Sequence, residues 1–154
     1  MLPPSDKLYS KILVGLDGSS DSMRAVDKAM AISKQNEAKL LVLHISPAQL
    51  RIRSPPSNIA TNSSPEYSKQ TDEAVEEWFE TVINKAKKLN IPIETRVISS
   101  GYSPGEIIVD LADKENVDLI VVGTRGTTGF KKLLLGSVAL EVVTYSYCSV
   151  LVVK

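Results

Sequence analysis

Only one cysteine, Cys148, stands among 154 residues, so no intramolecular disulfide can form and no Cys/His or CxxC set exists for a structural zinc. That usage fits a reducing compartment, and the cytoplasm is the expected location. Aromatic residues make up just 5%, too few for a platform that stacks single-stranded bases. Eighteen basic residues balance eighteen acidic ones, which argues against the electrostatic footprint of a nucleic-acid or anionic-membrane binder. Neither partner is expected. No apolar run approaches the ~18 residues of a membrane span, and residues 1–10 lack a basic stretch leading into an apolar one. The length suits one domain of roughly 100–200 residues, and 43% hydrophobic residues supply a core without staples. A single domain over residues 1–154 is therefore expected.

Short apolar runs alternate with helical patterns along the chain. Residues 12–16 form the first run and end in Asp17-Gly18-Ser19-Ser20; Ala25, Val26, Ala29, Met30 and Ile32 then recur along one helical stripe. Residues 40–45 form a second run, which opens into a Pro/Ser/Asn-rich stretch, 46–64, that reads as a long flexible loop. From Pro65 the spacing of Ala74, Val75, Trp78, Phe79, Val82, Ile83, Ala86 and Leu89 predicts a helix. Its charges run from acidic to basic, as the helix dipole favours, and read as a solvated face. A third strand at 93–98 leads to Ser103-Pro104-Gly105-Glu106, the spacing of a capping box with proline at the first helical position. Ile107, Ile108, Leu111 and Ala112 give the next helix its buried face. Residues 119–122 form a fourth strand, a glycine-containing loop and a helix from about Ser137 follow, and 150–153 form the last strand. Strands apolar on both faces that alternate with helices imply an α/β fold with a parallel sheet covered on both sides.

In such sheets ligands bind beyond the carboxyl ends of the strands, where the strand order reverses. Two strand ends here are polar or glycine-rich: residues 15–20, and Gly123-Thr124-Arg125-Gly126 continuing to Gly136-Ser137. Neither GxxxxGK[ST] nor GxGxxG is present, which excludes the two common phosphate loops. Glycine spacing alone is compatible with a plain structural turn as well as with a phosphate cradle.

The residues carry a resemblance. KILVGLDGS at 11–19, LLVLHIS at 40–46 and VDLIVVGTRGTTGFKKLLLGSVALEVV at 117–143 are similar to segments of the universal stress proteins. Gly123, Gly126, Gly136 and Ser137 match the G-2x-G-9x-G-[S/T] signature of that family's ATP-binding subgroup. The resemblance implies a Rossmann-like domain with five parallel strands in the order 3-2-1-4-5 and helices on both faces. It implies ATP as ligand, with Mg or Mn held through the phosphates and indirectly by Asp17. Asp17 would lie beside ribose and phosphates, Ile45 would meet adenine, and Val122 and Gly123 would pass the ribose. Gly126, Gly136, Ser137 and Val138 would enclose the phosphates. Backbone N–H groups at the last three would open a helix aimed at them; Arg125, inside the glycine loop, is placed either to reach a phosphate or to stay solvated. A homodimer through the edge strand 150–153 is likewise implied. Ser149 stands where the family's Cys-Pro pair would have proline, and residues 46–64 match no family pattern.

Each residue also has a plainer reading. Asp17 can serve as a turn former and Ser137 as a helix N-cap. His44, the one histidine, has no triad partner and reads as a hydrogen-bonded structural residue. Lys131 and Lys132 read as a solvated face, and Cys148 as an inert thiol. Without a Walker lysine or a general base besides Asp17, efficient ATP hydrolysis is not expected. Three functions stay open: a nucleotide-dependent stress or signalling module with an unidentified downstream partner; a slow Mg-dependent ATPase or phosphotransfer enzyme; and a dimerisation module binding AMP, cyclic AMP or no nucleotide.

Overall fold

The structure, a computed structural model, describes residues 7–47, 65–125 and 135–154, with 65–71 as backbone only. Nine elements alternate: β1 (Lys11–Gly15), α1 (Ser20–Asn36), β2 (Lys39–Pro47), α2 (Pro65–Lys88), β3 (Ile93–Ser100), α3 (Pro104–Lys114), β4 (Leu119–Gly123), α4 (Ser137–Tyr145) and β5 (Ser149–Val153). The five strands form one sheet in the order β3-β2-β1-β4-β5, every pairing parallel, as the resemblance implied.

Alternation along the strands feeds two cores. Ile12, Val14, Leu40, Val42 and Val121 face one way and pack against α1 and α2; Leu13, Leu41, Leu43, Ile120 and Val122 face the other, against α3 and α4. Each such fully buried side chain contributes roughly 1.5–3 kcal/mol of transfer free energy. The strands outrun their apolar runs, since β2 reaches Pro47 and β3 reaches Ser100, which pair with each other in register. Ser46 and Pro47 thus belong to a strand rather than to the expected loop, and residues 48–64 lie outside the described residues.

The capping box is not formed. Ser103 is the N-cap of α3 and Pro104 opens the helix, but the serine makes no side-chain cap bond; its hydroxyl donates to the Glu141 carboxylate of α4 instead. Glu141 also packs against Gly105, where a Cβ would lie only 2.8 Å from its Cβ. A tertiary contact between α3 and α4 thereby replaces the local cap.

The two ends of the sheet differ. At the amino ends of the strands an ion-pair network runs Lys11–Glu115–Arg96–Glu94–Lys39, and the hydrogen bonds from Lys11 and Arg96 hold the Glu115 carboxyl down to about 2. That end is tied shut by charge. The carboxyl ends open into a cleft.

Candidate functional site

From β1 the sheet grows outward through β2 and β3, and from β4 outward through β5. The carboxyl ends of β1 and β4 therefore form the crossover point where open α/β sheets hold ligands. A cleft of about 350 Å³ lies there, at the lower end of the ~300–1,000 Å³ typical of ligand pockets. Leu43, Ile45, Ile108 and Val122 give it an apolar floor and wall; Asp17, Thr124, Arg125 and Ser137 supply polar groups.

The Asp17 turn is tightly tied. Asp17 Oδ1 accepts from the Ser19 N–H at 2.9 Å and from the Ser19 hydroxyl at 2.5 Å. Ser19 caps α1, its Oγ accepting from the Ser22 N–H at 3.1 Å. Gly18 supplies the sharp bend with φ of +80°, a region costly for other L-residues. None of the described residues bonds Asp17 Oδ2, and Asp17 lines the cleft. The turn-former reading of Asp17 therefore holds, and it leaves a ligand contact open.

Across the cleft, Thr124 joins four elements. Its N–H donates to Val153 of β5 at 2.9 Å, its carbonyl accepts from the Gly136 N–H at 2.6 Å, and its hydroxyl donates to Asp21 of α1 at 2.9 Å. Asp21 is buried, ion-paired to Arg24 and 3.6 Å from the Arg125 Nε. The Thr124 hydrogen bond, with Arg24 and Arg125 adding opposite charge, holds the Asp21 carboxyl below its ordinary value against the opposing effect of burial. Gly123 lets β4 approach this point: a Cβ there would stand 2.9 Å from the carbonyl carbon and the Cβ of Asp21.

Thr124→Val should destabilise the chain by about 1–3 kcal/mol at neutral pH, since a buried charged acceptor loses its donor. A carboxylate whose folded value is depressed stabilises above its unfolded value of 3.8, and that contribution is lost as the pH falls through the folded value. Urea unfolding at pH 7 and near pH 3 should therefore show the Thr124→Val deficit shrinking in acid. A deficit independent of pH would mean that Asp21 is not the partner that matters.

Of the residues proposed from sequence, Asp17, Ile45, Val122, Gly123, Arg125, Gly136, Ser137 and Val138 all line this one cleft. Gly126, Lys131 and Lys132 lie outside the described residues. Two details differ from expectation. Gly136, not Ser137, is the N-cap of α4, and the Gly136 N–H is already taken by Thr124, which leaves the first-turn amides of Ser137 and Val138 facing outward from the helix start. Sequence reasoning missed Asp21 and Thr124. An acid in a first helical turn reads as a dipole complement, and only the adjacency of β1 and β4 would have paired these two, 103 residues apart.

His44 is the structural histidine expected, buried and with Nδ1 2.8 Å from the Leu16 carbonyl oxygen. Burial raises the thiol pKa of Cys148, in keeping with an inert cysteine. Among the described residues no three His, Cys, Asp or Glu side chains gather as a metal site, and no helix is long and apolar enough to cross a membrane.

Known proteins resemble this chain along nearly its whole length. A universal stress protein of Methanocaldococcus jannaschii is 34% identical over 149 residues, covering 97% of this chain and 84% of that protein. The solved structure of hypothetical protein MJ0577 superposes with a TM-score of 0.79 at 26% identity, covering 96% of each chain. A universal stress protein solved in complex with cAMP superposes with a TM-score of 0.67 at 29% identity, over 96% of this chain and 98% of that one. The sequence profile of the universal stress protein family matches residues 8–154. The chain belongs to the universal stress protein family.

Proposed function

We propose that the cleft binds an adenine nucleotide, with ATP as the ligand, and that the bound and free states act as a stress or signalling output read by a partner. The observation that carries this reading is the convergence of Asp17, Gly123, Gly136 and Ser137 on one cleft at the sheet crossover. In this reading Ile45 and the apolar floor take the adenine, Val122 and Gly123 border the ribose, and the phosphates meet the amino end of α4. The Ser137 and Val138 amides and the Ser137 hydroxyl donate to them, while Arg125 closes the far side. Arg125 is exposed and only loosely held by Asp21, 3.6 Å away, so it can swing to an incoming anion.

A divalent ion fits the same arrangement only as a companion of the phosphates. Asp17 offers one carboxylate oxygen, and Mg²⁺ or Mn²⁺ would complete its shell with phosphate oxygens and water. Such an ion would neutralise phosphate charge. Asp17 would orient it, and the tied turn would keep that carboxylate at the cleft edge. Among the described residues at the cleft, Asp17 is the one candidate base and Arg125 the one candidate cationic finger, with no Walker lysine in the sequence, so the reading is a binding module rather than an efficient hydrolase.

The relative solved with cAMP favours a second reading, a smaller adenine nucleotide. Melting the protein with equal concentrations of ATP, AMP and cAMP decides between them, because stabilisation follows affinity. ATP with magnesium should raise the midpoint most; a larger shift with cAMP or AMP would reassign the ligand. The edge position of β5, whose outer side pairs with no other described strand, supports pairing with a second copy, which light scattering would report as a dimer mass.

A further inference from the structure

We propose that His44 and Trp78, on the face of the sheet opposite the cleft, set the conformation of the Asp17 turn and hence the affinity of the cleft. The proposal rests on the nucleotide reading of that cleft. Where β1 ends, Leu16 is held at both backbone groups: its N–H donates to the Leu43 carbonyl at 2.8 Å, and its carbonyl accepts from the His44 ring at 2.8 Å. A carbonyl can only accept, so the ring carries its proton on Nδ1. Nε2 is buried and has no partner among the described residues. Among the described residues, the one polar bond of this imidazole is therefore spent on the residue preceding Asp17.

Trp78 of α2 braces the same turn from the side. Its indole meets His44 edge-on, with ring centroids 5.7 Å apart and planes at 72°, a favourable aromatic arrangement. Its benzo edge also packs onto Gly18, so closely that a Cβ there would lie 2.6 Å from Cε2 and nearer still to Cζ2 and Cη2. Asp17 lines the cleft while Gly18, the next residue, bears the indole. Displacing either ring must move the carboxylate, because one tied turn carries both contacts.

A core-filling role and a positioning role predict different results. Asparagine can present an amide N–H close to where Nδ1 stands, whereas leucine only fills space. In His44→Leu without nucleotide, hydrogen exchange at the Ser19 and Ser22 amides should quicken about tenfold while the α3 and β3 amides keep their rates. ATP affinity should fall by about tenfold, and His44→Asn should restore both. Trp78→Phe, a milder change, should quicken the same two amides, which keeps the test open should His44→Leu fold poorly. Unchanged exchange at Ser19 and Ser22, or acceleration spread evenly over the chain, would overturn the proposal. Failure of the wild type to bind ATP would count against the nucleotide reading alone, because the exchange measurement needs no ligand.

Discussion

Gly18→Ala should destabilise the chain by about 3 kcal/mol, from two separable causes. At φ of +80° an alanine carries left-handed strain of about 1–2 kcal/mol, and overpacking a filled site adds about 1–3 kcal/mol. The new Cβ would intrude on Trp78, a partly buried side chain packed into the α1/α2 core. Truncating the obstacle separates the causes. In a Trp78→Ala background the Gly18→Ala step should cost only the strain, so a double-mutant cycle by urea unfolding should return a coupling of about 1–2 kcal/mol. A coupling near zero, with Gly18→Ala costing only the strain of about 1–2 kcal/mol in both backgrounds, would mean that the indole does not rest on this turn.

Gly136→Val should weaken ATP binding on the order of 100-fold, equivalent to about 2.7 kcal/mol, while leaving the protein folded. Gly136 has φ of −68° and ψ of 164°, extended backbone that any residue adopts, so no backbone strain is added, and the poorer N-cap costs a few tenths to about 1 kcal/mol. The glycine stands at the cleft wall where phosphates would approach the first-turn amides of α4, and a branched side chain at the N-cap crowds that approach. Nucleotide titration and a thermal melt on the same preparation check both halves. Full affinity in the variant would mean that the phosphates do not approach α4 past Gly136, while the nucleotide reading of the cleft would stand.

What the sequence made legible follows from where the physics is local. Strands buried on both faces read as continuous apolar runs, and Ala25, Val26, Ala29 and Met30 marked the buried stripe of α1, so the alternation of elements was readable from periodicity. The order of the strands was not. Nothing in the runs 12–16 and 119–122 says that they lie side by side, and that adjacency entered through the resemblance to the family. The same limit explains Thr124 and Asp21, whose bond crosses 103 residues, and Ser103, whose local capping pattern yields to Glu141 38 residues away. Trp78 was legible as a core residue but not as the brace on Gly18, because a helical stripe records which face is buried and not what it is buried against. Gly136 was legible as a candidate that lines the cleft; that its N–H serves Thr124, leaving those of Ser137 and Val138, depends on how β4 meets α4.

The central claim is that this cleft takes an adenine nucleotide, and calorimetric titration of nucleotide-stripped protein with ATP and magnesium tests it most directly. Saturable heat with a stoichiometry near one ATP per chain is the expected result, weakened by Asp17→Ala and nearly lost in Gly136→Val. No heat with ATP, AMP or cAMP up to about 1 mM, a concentration at which even a site worth only −4.1 kcal/mol would be half filled, would contradict it. The cleft would then be a family inheritance without its ligand.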